Sequence, residues 1–179
     1  MPKHMRVDKT NSSDETLDLV DQNDQIIGET TRKEARQNPN LIHREIAILI
    51  HDDQKKILFQ QRSRHKVVNP LKWTISCAGY VIKGEDSDKT AHRELEEELG
   101  FDTELKFVDK RFNKMPNQAQ FHYCYIGKYS GEEIKIEKAE VEQAVFLSQF
   151  DLVEKVKSGA QIEEISLGLV NDFWSGKLG

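Results

Sequence analysis

Apolar residues along this chain fall into short alternating runs, broken by polar turns, with helical spacing in a central stretch and again near the end. LDLVD (Leu17 to Asp21) and QIIGET (Gln25 to Thr30) flank Asn23-Asp24 and predict a β-hairpin. TRKEARQN follows as a short helix, stopped by Pro39. REIAILIHD and KKILFQQRS form a second strand pair across Asp52-Asp53-Gln54, and the first is almost continuously apolar, as a strand buried on both faces should be. HKVVNPLK reads as a loop, and WTISCAG and YVIK as short strand pieces. Ala91, Leu95 and Leu99 then recur at i, i+4, i+8, between N-cap candidates Asp86 and Ser87 and a C-terminal Gly100; that is a helix with one buried stripe. ELKFVDKRF and QFHYCYIGKYS alternate like strands, and Ala144 to Leu147 is a last strand. Ser148 caps a helix running to Lys157, closed by Ser158-Gly159, and Ile162, Ile165, Leu169, Val170 and Phe173 predict a second amphipathic C-terminal helix.

Length and charge narrow the class. A chain of 179 residues is one domain with a sizeable core, and neither repeats nor low-complexity segments interrupt it. The net charge of −5 argues against a duplex nucleic-acid partner, which calls for a basic footprint. Cys77 and Cys124 are too few for a disulfide framework, and no apolar run spans a bilayer. MPKHMRVDKTNSSDE lacks the apolar segment of a secretory signal. Residues 1–16 are therefore expected to be a disordered leader, 17–179 a single domain including the C-terminal helices, and the compartment cytoplasmic.

The central helix carries the chemistry. Glu94 and Glu98 stand four apart with Glu97 beside them, so three carboxylates share neighbouring faces. Like charges at this spacing cost a bare helix about 0.2–0.5 kcal/mol per pair, and a counter-ion is the natural remedy. Oxygen ligands without Cys or a His pair point to Mg²⁺ or Mn²⁺ rather than zinc. A solvated Glu-rich face is the plain alternative, and the flanks decide against it. Gly79, Glu85, Arg93, Glu94, Leu95, Glu97, Glu98, Gly100 and Phe101 match every position of the Nudix box, G-x5-E-x7-R-E-U-x-E-E-x-G-U, where U is aliphatic or aromatic. The chain resembles a Nudix hydrolase.

That resemblance implies an α/β/α sandwich with a mixed sheet, and the element order fits it. It also implies hydrolysis of a diphosphate linkage in a nucleotide or nucleoside diphosphate derivative, with Mg²⁺ (or Mn²⁺) held by Glu94, Glu97, Glu98 and the Gly79 carbonyl. Arg93 is expected to orient the neighbouring glutamate, beyond its bare i,i+4 pairing with Glu97, so Arg93, Glu94, Glu97 and Glu98 form the catalytic set. Glu85 is either a structural contact or a water-mediated metal contact. Glu140 is either a further ligand or base or a residue of a solvated loop, as is Glu142. Glu98 is expected on the solvent-facing side of its helix. The partner is a small-molecule nucleotide or diphosphate, with no membrane and with a homodimer left open.

The opening strands, LIHRE, ILFQQRS and WTISCAGYV resemble a narrower Nudix branch related to isopentenyl-diphosphate isomerase. In that branch Arg62 and Lys66 match diphosphate-binding positions, with Lys72 a weaker candidate, and His43 matches a metal-ligand position although a lone His is usually only hydrogen-bonded. Trp73 reads as core or loop anchor. The isomerases place a catalytic Cys one residue before the box glycine and a metal-binding His just after it; here those positions hold Ala78 and Tyr80. Cys77 is one residue early, on the opposite strand face. Two glutamates expected on a later strand stand as Gln118 and Gln120. The isomerase is thus the disfavoured alternative, and a non-catalytic Nudix-fold binding module, which would be expected to lose box carboxylates, is the third.

Overall fold

The computed structural model describes residues 15–178. Most of the expected leader lies outside these residues, but its boundary moves: Glu15 accepts from Arg32 Nη1 at 3.3 Å and Thr16 already opens a strand. Strands β1 (Thr16–Val20) and β2 (Ile26–Thr31) pair antiparallel as a separate hairpin, turning through Asp24 at φ 63. Thr31 then caps the one-turn helix α1 (Arg32–Ala35) in a reciprocal box with Glu34.

The main sheet is built on β3 (His43–His51), whose residues Ile46 to Ile50 are all buried. One edge of β3 runs parallel to β8 (Ala119–Lys128) over its whole length, from His43 opposite Gln120 to His51 opposite Lys128. Its other edge is shared. β4 (Ile57–Arg62) pairs with it at His51, while β6 (Cys77–Tyr80) pairs with Glu45 to Ile48. β7 (Leu105–Lys114) flanks β8, and β5 (Trp73–Thr74) and β9 (Val141–Leu147) flank β4, giving a mixed sheet of seven strands. β9 begins three residues before the expected Ala144, because it continues its ladder against Gln61 and Arg62.

Helices cover both faces. α2 (Ser87–Leu99), capped by Asp86, packs Ala91, Leu95 and Leu99 against Ile46, Ile48 and Ile50. Burial of each leucine contributes about 1.5–3 kcal/mol. On the opposite face, Leu152 of α3 (Gln149–Lys157) and Leu169 and Val170 of α4 (Glu164–Trp174) cover Ala47, Leu49, Phe59 and Trp73. The result is an α/β/α sandwich. Ile162, read as helical, instead bridges Trp73, since Trp73 donates to the Gln161 carbonyl at 2.8 Å and accepts from Glu163 at 2.9 Å. No described helix is long and apolar enough to cross a membrane.

Candidate active site

Where β3 divides its edge between β4 and β6, an open cleft of about 1790 Å³ is left, lined by Gly79, Arg93, Glu94, Glu97, Glu98 and Glu140 among others. The helix that brings the glutamates there ends on Gly100, at φ 76 in the left-handed region where a side chain is strained. Gly79 is fixed by space. A Cβ on it would sit 2.7 Å from the Glu94 carboxyl carbon, so any side chain there would have to displace this carboxylate.

Arg93 is the hub of the acidic cluster. Its Nε and Nη2 donate to the two oxygens of Glu85 at 3.1 and 2.8 Å, while Nη1 reaches Glu94 at 2.5 Å and Glu97 at 3.3 Å. One planar fork thereby spans three carboxylates, which a lysine could not do. Glu85 also accepts from Thr90 Oγ1 at 2.8 Å, so both of its oxygens are occupied within the protein. Although burial disfavours its charge, these bonds hold the Glu85 carboxyl below its ordinary value.

Glu98 is not on a solvent-facing side. It is 8% exposed, with Oε2 accepting from Gln60 Nε2 at 2.8 Å and from Cys77 Sγ at 3.3 Å. The helix turns it inward because Leu95 and Leu99, one turn and one residue away, draw the same side onto the sheet. Burial and the charge of Glu140 push its carboxyl up, against the pull of Gln60 and Lys66. Burial and then the charge of Glu98 push Glu94 up to about 7, despite Arg93. Glu97 is 41% exposed at its side chain, and Glu96 also lines the rim of the cleft.

Glu140 sits just ahead of β9, its carboxylate bound by Lys66 Nζ. It is partly buried in an ion pair rather than loose in a solvated loop. Arg62 lines the same cleft and donates Nε and Nη2 to the Val68 carbonyl at 3.2 and 3.1 Å. Lys72 lines it too, whereas Trp73 is 4% exposed in the core beneath α3 and α4. Glu142 points elsewhere, into a pair with Arg64.

A second polar group lies on the cleft wall that faces away from α2. Glu45 bridges His43 Nε2 at 3.1 Å and His122 Nε2 at 3.0 Å, and Asn113 Nδ2 meets His122 Nδ1 at 3.0 Å. Burial opposes the charge of Glu45, but the hydrogen bonds from His122 and His43 hold its carboxyl well below the usual range. Tyr80 stacks on His43 at 5.2 Å between centroids, with the Arg32 guanidinium 4.3 Å from its ring. Glu45 was missed in the sequence, yet a charge inside an apolar strand is a signal, since a buried carboxylate needs partners. Its partner His122 is not adjacent in sequence and shows only through the β3–β8 register.

Cys77 and Ala78 fall on opposite faces of β6, as alternation requires. Cys77 is fully buried in the α2-side core, its thiol raised by burial and by Glu98, whereas Ala78 lines the cleft.

A family model described as the NUDIX domain matches residues 41–164. An isopentenyl-diphosphate Delta-isomerase of Photorhabdus laumondii is 34% identical, over 68% of this chain and 71% of that protein. An uncharacterised Nudix hydrolase of Listeria monocytogenes is 30% identical, over 81% of this chain and 86% of its own length. Among solved structures, a Deinococcus radiodurans protein superposes with a TM-score of 0.75 at 19% identity, covering 88% of this chain and 98% of that one.

Proposed function

The chain belongs to the NUDIX domain family and is a Nudix hydrolase; from that premise we propose that it cleaves the diphosphate linkage of a nucleotide or nucleoside diphosphate derivative, using Mg²⁺ or Mn²⁺, in the cytoplasm. The observation that carries this reading is the crowding of Glu94, Glu97, Glu98 and Glu140 along one cleft with raised carboxyls at Glu94 and Glu98.

The donor set fits such a cation. Every candidate ligand is a hard oxygen, from Glu94, Glu97, Glu98, Glu140 or the Gly79 carbonyl, and their mutual repulsion is what a divalent charge relieves. Among the described residues, no three acidic, His or Cys side chains already converge as a closed cage. Mg²⁺ does not require one, because it keeps water and takes substrate phosphate oxygens alongside one or two carboxylates. When bound, the cation would polarise the phosphates and make the attacking water more acidic.

The chain's own residues supply the rest. Arg93 orients Glu94 and Glu97, with Glu85 acting structurally by holding the guanidinium. Burial and neighbouring carboxylates raise Glu94 and Glu98 while no cation is bound, and a divalent charge held between them would return both to the carboxylate form that ligates it. Arg62 and Lys66, with Lys72 nearby, supply positive charge for the phosphates, and positioning and charge account for most of the catalysis.

The isomerase reading, prompted by the Photorhabdus relative, is set aside because Ala78 and not Cys77 reaches the cleft, and because Tyr80, stacked on His43, stands where the isomerases carry a metal-binding His. A screen over nucleoside di- and triphosphates, sugar nucleotides, dinucleoside polyphosphates, NADH and coenzyme A, with products analysed by mass, tests the proposal. Metal-dependent release of phosphate, pyrophosphate or a nucleoside monophosphate is expected. Undiminished turnover in excess EDTA would refute it.

A further inference from the structure

The Lys66 ammonium sits on the Glu140 carboxylate inside the cleft, with the two side chains 10% and 17% exposed. Their backbones are tied to a common residue. Ser63 N–H donates to the Glu140 carbonyl at 2.9 Å, and Lys66 N–H donates to the Ser63 carbonyl at 3.1 Å. The pairing can therefore be made or broken by side-chain rotation alone, without moving either segment.

A neighbouring pair on the same two segments makes the contrast. Two residues away on each, Arg64 grips Glu142 through Nε at 3.2 Å and Nη2 at 2.6 Å, with Arg64 62% exposed and outside the cleft. Such a two-pronged arginine clamp is geometrically suited to fastening. Lys66 differs in both chemistry and place, being a flexible point charge with rotatable donors that faces the acidic cluster. Two arginines of the cleft are held in place, Arg93 by Glu85, Glu94 and Glu97 and Arg62 by the Val68 carbonyl.

We propose that Lys66 is an exchangeable counter-ion: it neutralises Glu140 while no divalent cation is bound, yields that carboxylate when one arrives, and turns its ammonium to the substrate phosphates. This rests on the hydrolase reading above and adds to it an internal competitor for the cation. An ammonium and a divalent cation cannot share one carboxylate without strong repulsion, so filling the site and freeing Lys66 are one event. The charge set free is then delivered where the phosphates bind, and substrate binding is thereby coupled to cation binding.

The test is Mn²⁺ titration of the substrate-free protein, followed by the EPR signal of free Mn²⁺, in wild type, Lys66→Met, Lys66→Gln, Glu140→Gln, the Lys66→Met/Glu140→Gln double variant and Arg64→Ala. Removing the competitor should tighten Mn²⁺ binding about 5-fold or more in both Lys66 variants. Most of the gain should be lost in the Glu140→Gln background, the remainder reflecting the pull of Lys66 on Glu98, and Arg64→Ala should leave Mn²⁺ affinity unchanged. With Mn²⁺ saturating, inorganic pyrophosphate should bind the Lys66 variants about 10-fold more weakly, since a charge-assisted contact is lost. Unchanged or weaker Mn²⁺ binding in both folded Lys66 variants would overturn the proposal, leaving Lys66 a fixed structural partner. Wild-type protein that binds no Mn²⁺ would instead remove the metal-dependent hydrolase reading, and this inference with it.

Discussion

Gln60 donates its side-chain amide to the Glu98 carboxylate at 2.8 Å, joining β4 to the last turn of α2 across 38 positions of sequence. This bond explains how a carboxylate 8% exposed is tolerated beside Glu94 and Glu140. It also means that the geometry of Glu98 can survive loss of its charge. Glu98→Gln keeps an acceptor for Gln60 while removing the repulsion. Its melting temperature in EDTA at pH 8 should equal or exceed that of wild type, while kcat should fall by at least about 10²-fold. A variant that melts well below wild type yet keeps its turnover would show the residue to be structural.

The raised carboxyl of Glu94 predicts a pH effect on stability. An acid whose pKa is higher folded than unfolded binds its proton more tightly when folded, so stability falls as pH rises from the ordinary 4.5 to about 7. Glu45 and Glu85 shift the other way, and what they contribute is lost only as pH falls below the ordinary range, outside this window. Scanning calorimetry in EDTA should therefore give a melting temperature about 5 °C higher at pH 5.5 than at pH 7.5. Saturating Mg²⁺ should erase most of the difference. A melting temperature that rises steadily from pH 5.5 to 7.5 in EDTA would contradict it.

Arg93→Lys retains the charge but loses the fork that reaches Glu85, Glu94 and Glu97 together. Denaturant unfolding should show a loss of about 1–3 kcal/mol, and activity should drop by more than the same substitution at Arg64. Equal effects at the two sites would argue that Arg93 is an ordinary ion pair.

Gly79→Ala places a methyl 2.7 Å from the Glu94 carboxyl carbon. Overpacking of this kind costs about 1–3 kcal/mol, and the displaced carboxylate should weaken Mn²⁺ binding measured by calorimetry. Unaltered metal affinity would separate the glycine from the proposed ligand set.

Incubation with isopentenyl diphosphate and Mg²⁺ should yield no dimethylallyl diphosphate. The thiol of Cys77 is buried on the α2 side, and its raised pKa disfavours the thiolate. Product formed at a rate abolished by Cys77→Ala would overturn the assignment.

The sequence alone determined the elements and the box. Period-2 runs and one nearly continuous apolar run marked the strands, the Ala91–Leu95–Leu99 stripe between Asp86 and Gly100 marked α2, and seven fixed identities at fixed spacing placed the glutamates on that helix. Such features are local, each set by the neighbours within a turn or a pleat. The inward turn of Glu98, the three-carboxylate reach of Arg93 and the Lys66–Glu140 pair are not local. They depend on which strands share the edge of β3 and on what that division leaves open. Glu45, His43 and His122 make the point most plainly: two lie on one strand and the third some 77 positions on from Glu45, and only the parallel register of β3 and β8 brings them together. Hydrogen bonds between distant segments form where backbone ladders bring those segments together, so tertiary structure decided which charges meet.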